Sequence, residues 1–185
     1  MTDNKKRVDK QVIANLASGD LEKMATAIDY IRENGNCLYV PEVIEVLHLA
    51  KTNEERKLLV EFLNDLKFQD SAQYIVDAIL NERYLNELEL LVSSCWQSRL
   101  NFSTFLPVFM DLVLKADYLV AFDAFSVVEN AMMYLPPEQR ELHVSKLKSG
   151  LVEADSEKKL LITELINVIS QLPASMDEDS YLESN

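Results

Sequence analysis

Few side chains in this sequence could carry catalysis, since its 185 residues include only two histidines and two cysteines. His48 follows Glu45 by three residues, and a Glu-x-x-His pair on one helix is half of a di-iron carboxylate site. The second half is missing, because His143 follows Glu141 by two residues, which places the two side chains on different helix faces. The alternative is that His48 is a partly exposed histidine on a helix without a metal.

The cysteines and glycines point away from the common catalytic motifs. Cys37 and Cys95 form no Cys-x-x-Cys pair, so we expect no zinc site, and a nucleophilic cysteine would need a base brought from elsewhere. We expect both to be buried thiols, with Cys95 packed in the core. Only three separated glycines occur, which excludes a glycine-rich phosphate loop. The sequence therefore predicts a non-catalytic protein without cofactor or metal; an enzyme with an unrecognised site is the alternative.

The net charge of the chain argues against nucleic acid as a partner. There are 31 acidic and 18 basic residues, a formal net charge of −13, which disfavours nucleic acid as a ligand. The charged N-terminus is not a secretory signal, and no apolar run approaches the roughly 18 residues that span a bilayer. We therefore expect a cytoplasmic protein that does not insert into a membrane.

The spacing of apolar residues and of helix breakers predicts an all-α chain. Three glycines and five prolines are few for this length, so turns are few and regular elements long. Apolar residues recur at three- and four-residue spacing between the breakers. This pattern predicts ten helices, over 8–17, 20–34, 40–50, 53–67, 70–81, 85–98, 103–115, 118–134, 137–153 and 156–172.

The same positions predict how these helices begin and end. The predicted N-caps, whose side-chain oxygens accept a free N–H of the first turn, are Asp20, Asn53, Asp117 and Asp155. The predicted left-handed C-terminal caps are Gly19, Gly35 and Gly150. Asp20 and Asn53 are 33 residues apart, and Pro41 and Pro107 are two steps of 33 apart. A period of this length is typical of stacked helical hairpins.

Two segments carry a more specific pattern. Val40-Pro41-Glu42-Val43-Ile44-Glu45-Val46-Leu47 precedes the helix that begins at Asn53, and the apolar run 106–114 precedes the helix that begins after Asp117. In this pattern the chain resembles HEAT-like, armadillo-type repeats over residues 8–172. The resemblance implies a right-handed α-α superhelix, a solenoid of about five hairpins. A compact irregular bundle is the alternative fold.

The chain end differs in composition from the rest. Residues 174–185 contain four acids, no base and few apolar residues. We expect one repeat domain over 1–173 and an acidic disordered tail over 174–185. The tail is interpreted as a solubilising end, with a recognition motif around Tyr181 and Leu182 as the alternative.

In HEAT-like repeats the second helix of each hairpin lines the concave side, so the resemblance implies where a partner binds. The predicted binding residues on that side are Tyr30, Glu33, Glu61, Asn64, Asp65, Glu89, Trp96, Asp123, Glu129 and Asn130. Acids interleaved with aromatics suit a basic or amphipathic peptide or protein. The function predicted is a protein–protein interaction scaffold or adaptor, with a regulatory subunit of an enzyme or larger complex as the alternative. No oligomeric state is predicted. The alternative interpretation of these predicted binding residues is that their charged side chains are simply solvated and that Trp96 and Tyr30 pack between hairpins.

HEAT-like repeats also include the alkylpurine DNA glycosylases, whose DNA groove is cationic. A net charge of −13 disfavours that activity.

Overall fold

The structure, a computed structural model, describes residues 7–173, and all regular structure in this range is helical. Its ten α-helices are α1 (Lys10–Leu16), α2 (Leu21–Asn34), α3 (Val40–Leu49), α4 (Asn53–Asn64), α5 (Ser71–Ile79), α6 (Leu88–Gln97), α7 (Leu106–Lys115), α8 (Tyr118–Met132), α9 (Pro137–Gly150) and α10 (Ser156–Gln171). Short 3-10 turns, at Cys37–Tyr39, Glu82–Glu87 and Ser103–Phe105, lead into α3, α6 and α7. The all-α prediction is confirmed, and no predicted helix end differs from the observed one by more than three residues.

Two of the predicted N-caps act through their side chains. Asp20 Oδ1 accepts the backbone N–H groups of Glu22 at 3.1 Å and Lys23 at 3.3 Å, and Asp155 Oδ1 accepts that of Lys158 at 2.9 Å. Asp117 occupies the N-cap position of α8 but its side chain makes no capping bond. These bonds satisfy N–H groups that have no partner inside the helix.

The predicted cap at Asn53 is wrong by one residue. Thr52 is the N-cap of α4, and Asn53 is the first helical residue. Thr52 Oγ1 accepts the N–H of Glu55 at 3.2 Å, while Glu55 Oε2 accepts the N–H groups of Thr52 at 3.2 Å and Lys51 at 2.7 Å. Thr52 is the N-cap because its side chain and that of Glu55 each accept the backbone N–H of the other residue. This reciprocal capping box satisfies two N–H groups that would otherwise have no partner.

The glycines have three different roles. Gly19 lies between α1 and α2 with φ of 70°, the left-handed region that favours glycine. The left-handed cap predicted at Gly35 is wrong, since its backbone is extended. The cap predicted at Gly150 is also wrong, since this residue lies inside α9, where a Cβ would come within 2.4 Å of Leu114 Cδ2. Glycine at 150 allows α9 to approach α7 closely.

The described chain falls into two compact units, residues 7–100 and 101–173. In unit 1, three helical hairpins (α1–α2, α3–α4 and α5–α6) pack in chain order: α3 contacts α1 and α5, and α4 contacts α2 and α6. The core between them holds fully buried aliphatic side chains such as Leu16, Ile28, Leu47, Leu63 and Leu91. Each contributes about 1.5–3 kcal/mol by leaving water.

Unit 2 contains two hairpins, α7–α8 and α9–α10. Helix α8 packs against α10, and α7 packs against α9 and α10. Phe109 is fully buried, and its ring meets that of Phe102 edge to face with centroids 5.5 Å apart. The neighbour-to-neighbour packing in each unit is what a stack of helical repeats requires.

The superhelix, its handedness and the single repeat domain over 1–173 stay predictions. The tail assigned to 174–185, with Tyr181 and Leu182, lies outside the described residues. Among the helices between residues 7 and 173, none combines the length and apolarity that a membrane crossing needs.

Candidate functional site

The second helices of the three hairpins in unit 1 form a row, with α4 between α2 and α6. Each helix buries one stripe, such as Met24, Ile28 and Ile31 on α2, and presents the opposite side to solvent. We call that side the outer face of unit 1. Seven of the predicted binding residues lie on these helices or at their ends: Asn64 is half-buried, and the exposed ones are Tyr30, Glu33, Glu61, Asp65, Glu89 and Trp96.

Two large aromatic side chains are exposed on the outer face. Tyr30 on α2 is 42% exposed and Trp96 on α6 is 41% exposed. Each side chain therefore presents part of its ring to solvent, and packing of the remainder between hairpins stays the alternative. A half-exposed Tyr or Trp presents an apolar ring and a polar group to a partner, which is why these residues are enriched at interfaces.

The charges of the outer face are partly compensated within the chain. Glu61 pairs with Lys57 at 3.8 Å, and Asp65 pairs with Lys67 at 3.7 Å. Glu33 and Glu89 are exposed, and neither has a cationic group within 4 Å among residues 7–173. The acidic character that the sequence predicts is thus carried by Glu33 on α2 and Glu89 on α6.

Asn64 has a structural contact in addition to its place on this face. Its Nδ2 donates to Gln97 Oε1 at 2.9 Å, which joins the ends of α4 and α6. Its Oδ1 is buried and has no hydrogen-bond partner among the described atoms. Asn64 therefore links two neighbouring helices of the row.

The remaining three predicted binding residues lie on α8 in unit 2. Asp123 and Glu129 are half-buried, and Asn130 is exposed. The prediction that they continue one binding surface with unit 1 stays a prediction. The same helix exposes Tyr118, Leu119 and Phe122, with the two rings stacked at 6.5 Å between centroids. Sequence reasoning missed this apolar cluster, whose signal was an aromatic pair at i and i+4 beside an exposed leucine.

Glu45 and His48 separate into two neighbouring clusters instead of forming one ligand pair. The Glu87 carboxylate is almost fully buried at the start of α6 and accepts a hydrogen bond from His48 Nδ1 at 3.0 Å. The other Glu87 oxygen lies 3.7 Å from Arg56 Nη2. The buried carboxylate thus ties α3 and α4 to α6.

Glu45 is bound by the turn that precedes α6. It accepts hydrogen bonds from the Arg83 guanidinium, with Nε at 3.1 Å, and from the Tyr84 hydroxyl at 3.0 Å. The Arg83 hydrogen bond holds the pKa of Glu45 below its ordinary value, with Tyr84 adding to the effect. Burial, together with the bond to Glu45, raises the pKa of Tyr84. These groups are therefore in stable charge states near neutral pH.

The two cysteines are buried, and the other histidine, His143, is half-buried. Cys37 and Cys95 are free and buried, as predicted. The Cys95 thiol donates to the Leu91 carbonyl at 3.3 Å, and burial raises its pKa well above the ordinary value, which keeps it protonated. Burial lowers the pKa of His143, and the charge of Lys146 lowers it further. Within the described residues no three His, Cys, Asp or Glu side chains are grouped so that they could hold a metal ion.

Comparisons with protein-family models, with curated proteins and with solved structures gave no match.

Proposed function

We propose that this chain is a non-catalytic protein-binding module of HEAT-like helical hairpins, which takes a basic or amphipathic segment of another protein. The binding surface is the outer face of unit 1. The observation that carries the proposal is the exposure of Tyr30 and Trp96 on α2 and α6, the two helices that flank α4 in one row, with the uncompensated carboxylates of Glu33 and Glu89 on the same two helices.

This arrangement suits recognition of such a segment for two reasons. Exposed aromatic rings give large contact area at a low cost in side-chain entropy, and Tyr and Trp are the residues most often found as binding hot spots. Carboxylates around them attract a cationic partner and orient it before contact. A basic amphipathic helix would place its apolar side on the rings and its cations near Glu33 and Glu89.

The packing of unit 1 supports a rigid surface. Asn64 and Gln97 join α4 to α6, and the buried Glu87 joins α6 to α3 and α4. Helices held in this way lose little freedom when a partner binds, which favours affinity.

One observation favours a second candidate, an enzyme. A carboxylate that binds Nδ1 of a histidine leaves Nε2 available as a general base, and His48 is so placed against Glu87. We place this candidate second because Arg56 and Arg83 hold the two nearby carboxylates in ion pairs, and because the two cysteines are buried thiols.

The proposal is tested by charge reversal on the outer face, with binding measured by fluorescence anisotropy. The probe is a labelled amphipathic helical peptide of Leu and Lys. We expect Glu33→Lys with Glu89→Lys to weaken binding at least tenfold, about 1.4 kcal/mol. The matched control is Glu138→Lys with Glu164→Lys, two exposed acids of unit 2. Equal affinity of both double variants would contradict the proposal, because net charge would then explain the binding.

A further inference from the structure

A pocket of about 360 Å³ lies in unit 1 between the turn that joins α1 to α2 and the turn that joins α3 to α4. Its apolar wall is formed by Met24, Val46 and Leu49. Met24 is buried, whereas the large aliphatic side chain of Leu49 is 59% exposed. The volume is at the small end of the range of roughly 300–1,000 Å³ that small-molecule sites occupy.

One carboxylate oxygen of Glu55 is left without a donor beside this pocket. Glu55 is only 8% exposed. Its Oε2 accepts the backbone N–H groups of Lys51 and Thr52, but among residues 7–173 no hydrogen bond reaches Oε1. A buried oxygen without a donor is unfavourable, so a ligand that supplies a donor is stabilised there.

Gly19 leaves the approach to this oxygen open. A Cβ built on Gly19 would lie 3.7 Å from Glu55 Oε1, so a larger side chain at this position would occupy the space next to the oxygen. Gly19 and Glu55 both line the pocket. Oε1 is therefore the Glu55 oxygen that faces it.

The charged residues that line the pocket are one acid and one base, Glu55 and Lys51. They form no ion pair with each other, and Lys51 is exposed without a carboxylate within 4 Å among the described residues. The pocket also adjoins the C-terminal end of α3, where unpaired carbonyl groups favour a cation. These groups match a ligand with an ammonium group, a carboxylate and an aliphatic side chain.

We propose that this pocket binds a free aliphatic α-amino acid. The ammonium group donates to Glu55 Oε1, the carboxylate binds Lys51, and the side chain packs on Met24, Val46 and Leu49. A hydrogen bond between an ammonium group and a carboxylate is about twice as strong as one between neutral groups. None of these residues is among those predicted to bind on the outer face, so the proposal goes beyond the function proposed for that face.

The first test is a titration of the full chain with L-leucine, followed by NMR of the side-chain methyl groups. We expect the resonances of Met24 and Val46 to shift with saturation while those of Ile162, a buried residue of unit 2, stay in place. No saturable shift at Met24 with leucine at millimolar concentrations would overturn the proposal.

The class of ligand is tested with two analogues of leucine that each lack one charged group. Leucine amide has no carboxylate, and 4-methylpentanoate has no ammonium group. We expect each to bind at least about tenfold more weakly than leucine, because one charge-assisted contact is lost. Equal affinity of leucine amide would overturn the proposal in favour of the N-terminus of a peptide, and equal affinity of 4-methylpentanoate would contradict the role of Glu55.

A set of variants locates the site. Glu55→Gln removes the negative charge but keeps a residue that can complete the capping box, and it should weaken leucine binding about tenfold. The matched control is Glu54→Gln, at the adjacent exposed acid, which should leave the affinity unchanged. Equal affinity of the two variants would contradict the proposal.

Lys51→Gln gives a second measurement with little risk to the fold, since Lys51 is exposed. It should weaken the binding of leucine but not that of leucine amide, a difference that a general loss of structure would not produce. Unchanged affinity for leucine in Lys51→Gln would overturn the proposal.

Discussion

The carboxylate of Glu87 meets Nδ1 of His48 at 3.0 Å while only 3% of the Glu87 side chain is exposed to solvent. A buried carboxylate is costly unless charged and polar partners surround it, and here Arg56 supplies the second contact at 3.7 Å. Because His48 lies on α3 and Arg56 on α4, the second hairpin is fixed to the third through one acidic side chain. The cluster supports the row of helices that presents the proposed binding face.

Removing the charge of Glu87 should therefore destabilise unit 1. We expect Glu87→Gln to lower the free energy of unfolding by about 1–3 kcal/mol, since two charge-assisted contacts are lost. Urea denaturation measures the change. The matched control is Glu89→Gln, two residues away and exposed, which should stay within about 0.5 kcal/mol of the parent. Equal changes in the free energy of unfolding for the two variants would contradict a stabilising role of the buried Glu87 contacts.

Arg140 has a comparable role in unit 2. Its guanidinium donates to the carbonyl oxygens of Met132, Met133, Leu135 and Pro173, which holds the C-terminal ends of α8 and α10 together. We expect Arg140→Met to cost about 2–4 kcal/mol, because several buried carbonyls lose a charged donor. Arg140→Lys should recover only part of this, since an ammonium cannot reproduce the planar fork. A loss no larger than that of Lys159→Met would contradict this role.

Gly19 should be the least replaceable of the three glycines on conformational grounds. Its φ of 70° is unfavourable for residues with a Cβ, so Gly19→Ala is expected to lower stability by about 1–2 kcal/mol. The measurement is the urea midpoint of unfolding. Gly19→Asn is the control, because Asn tolerates this conformation better than Ala, and its loss should be smaller. The reverse order would argue against a left-handed residue at this turn.

Stability should fall at mildly acidic pH because of His143. Burial, and to a smaller extent Lys146, lowers the pKa of His143 in the folded state below its ordinary value of 6.5. The unfolded chain then binds the proton first, so the free energy of unfolding decreases as the pH falls through about 6.5 and levels off below the folded pKa. Urea unfolding at about pH 7.5 and 5.5 should show a smaller decrease in His143→Gln than in the parent chain. Identical decreases would remove His143 as the cause.

The helices were predictable because their signals are local. Apolar spacing placed all ten helices, and Asp20 and Asp155 cap them as expected. The errors arose where a contact with another residue decides the position. Thr52, and not Asn53, is the N-cap of α4 because it exchanges hydrogen bonds with Glu55. Gly150 lies inside α9, where the close approach of Leu114 leaves little room for a side chain. A Thr-x-x-Glu pattern was visible at 52–55 and could have corrected the first error.

The site was less predictable because its contacts are non-local. Tyr30 and Trp96 are exposed, and their role in binding stays a prediction. The pairing of Asp65 and Glu61 with lysines depends on side-chain geometry. The partner of His48 lies 39 residues away. The sequence did contain one signal for this partner, Glu87. Glu87 precedes Leu91 and Cys95 at four-residue steps, so it lies on the buried stripe of α6.

The central claim, that the outer face of unit 1 binds a basic amphipathic segment, is tested most directly through Trp96. It is the only tryptophan in the sequence, so intrinsic emission reports on this face alone. Titration with the amphipathic Leu/Lys peptide should shift the Trp96 emission to the blue with saturation, and a peptide with Glu in place of Lys should not. No shift with the Lys peptide, or the same shift with both peptides, would contradict the account.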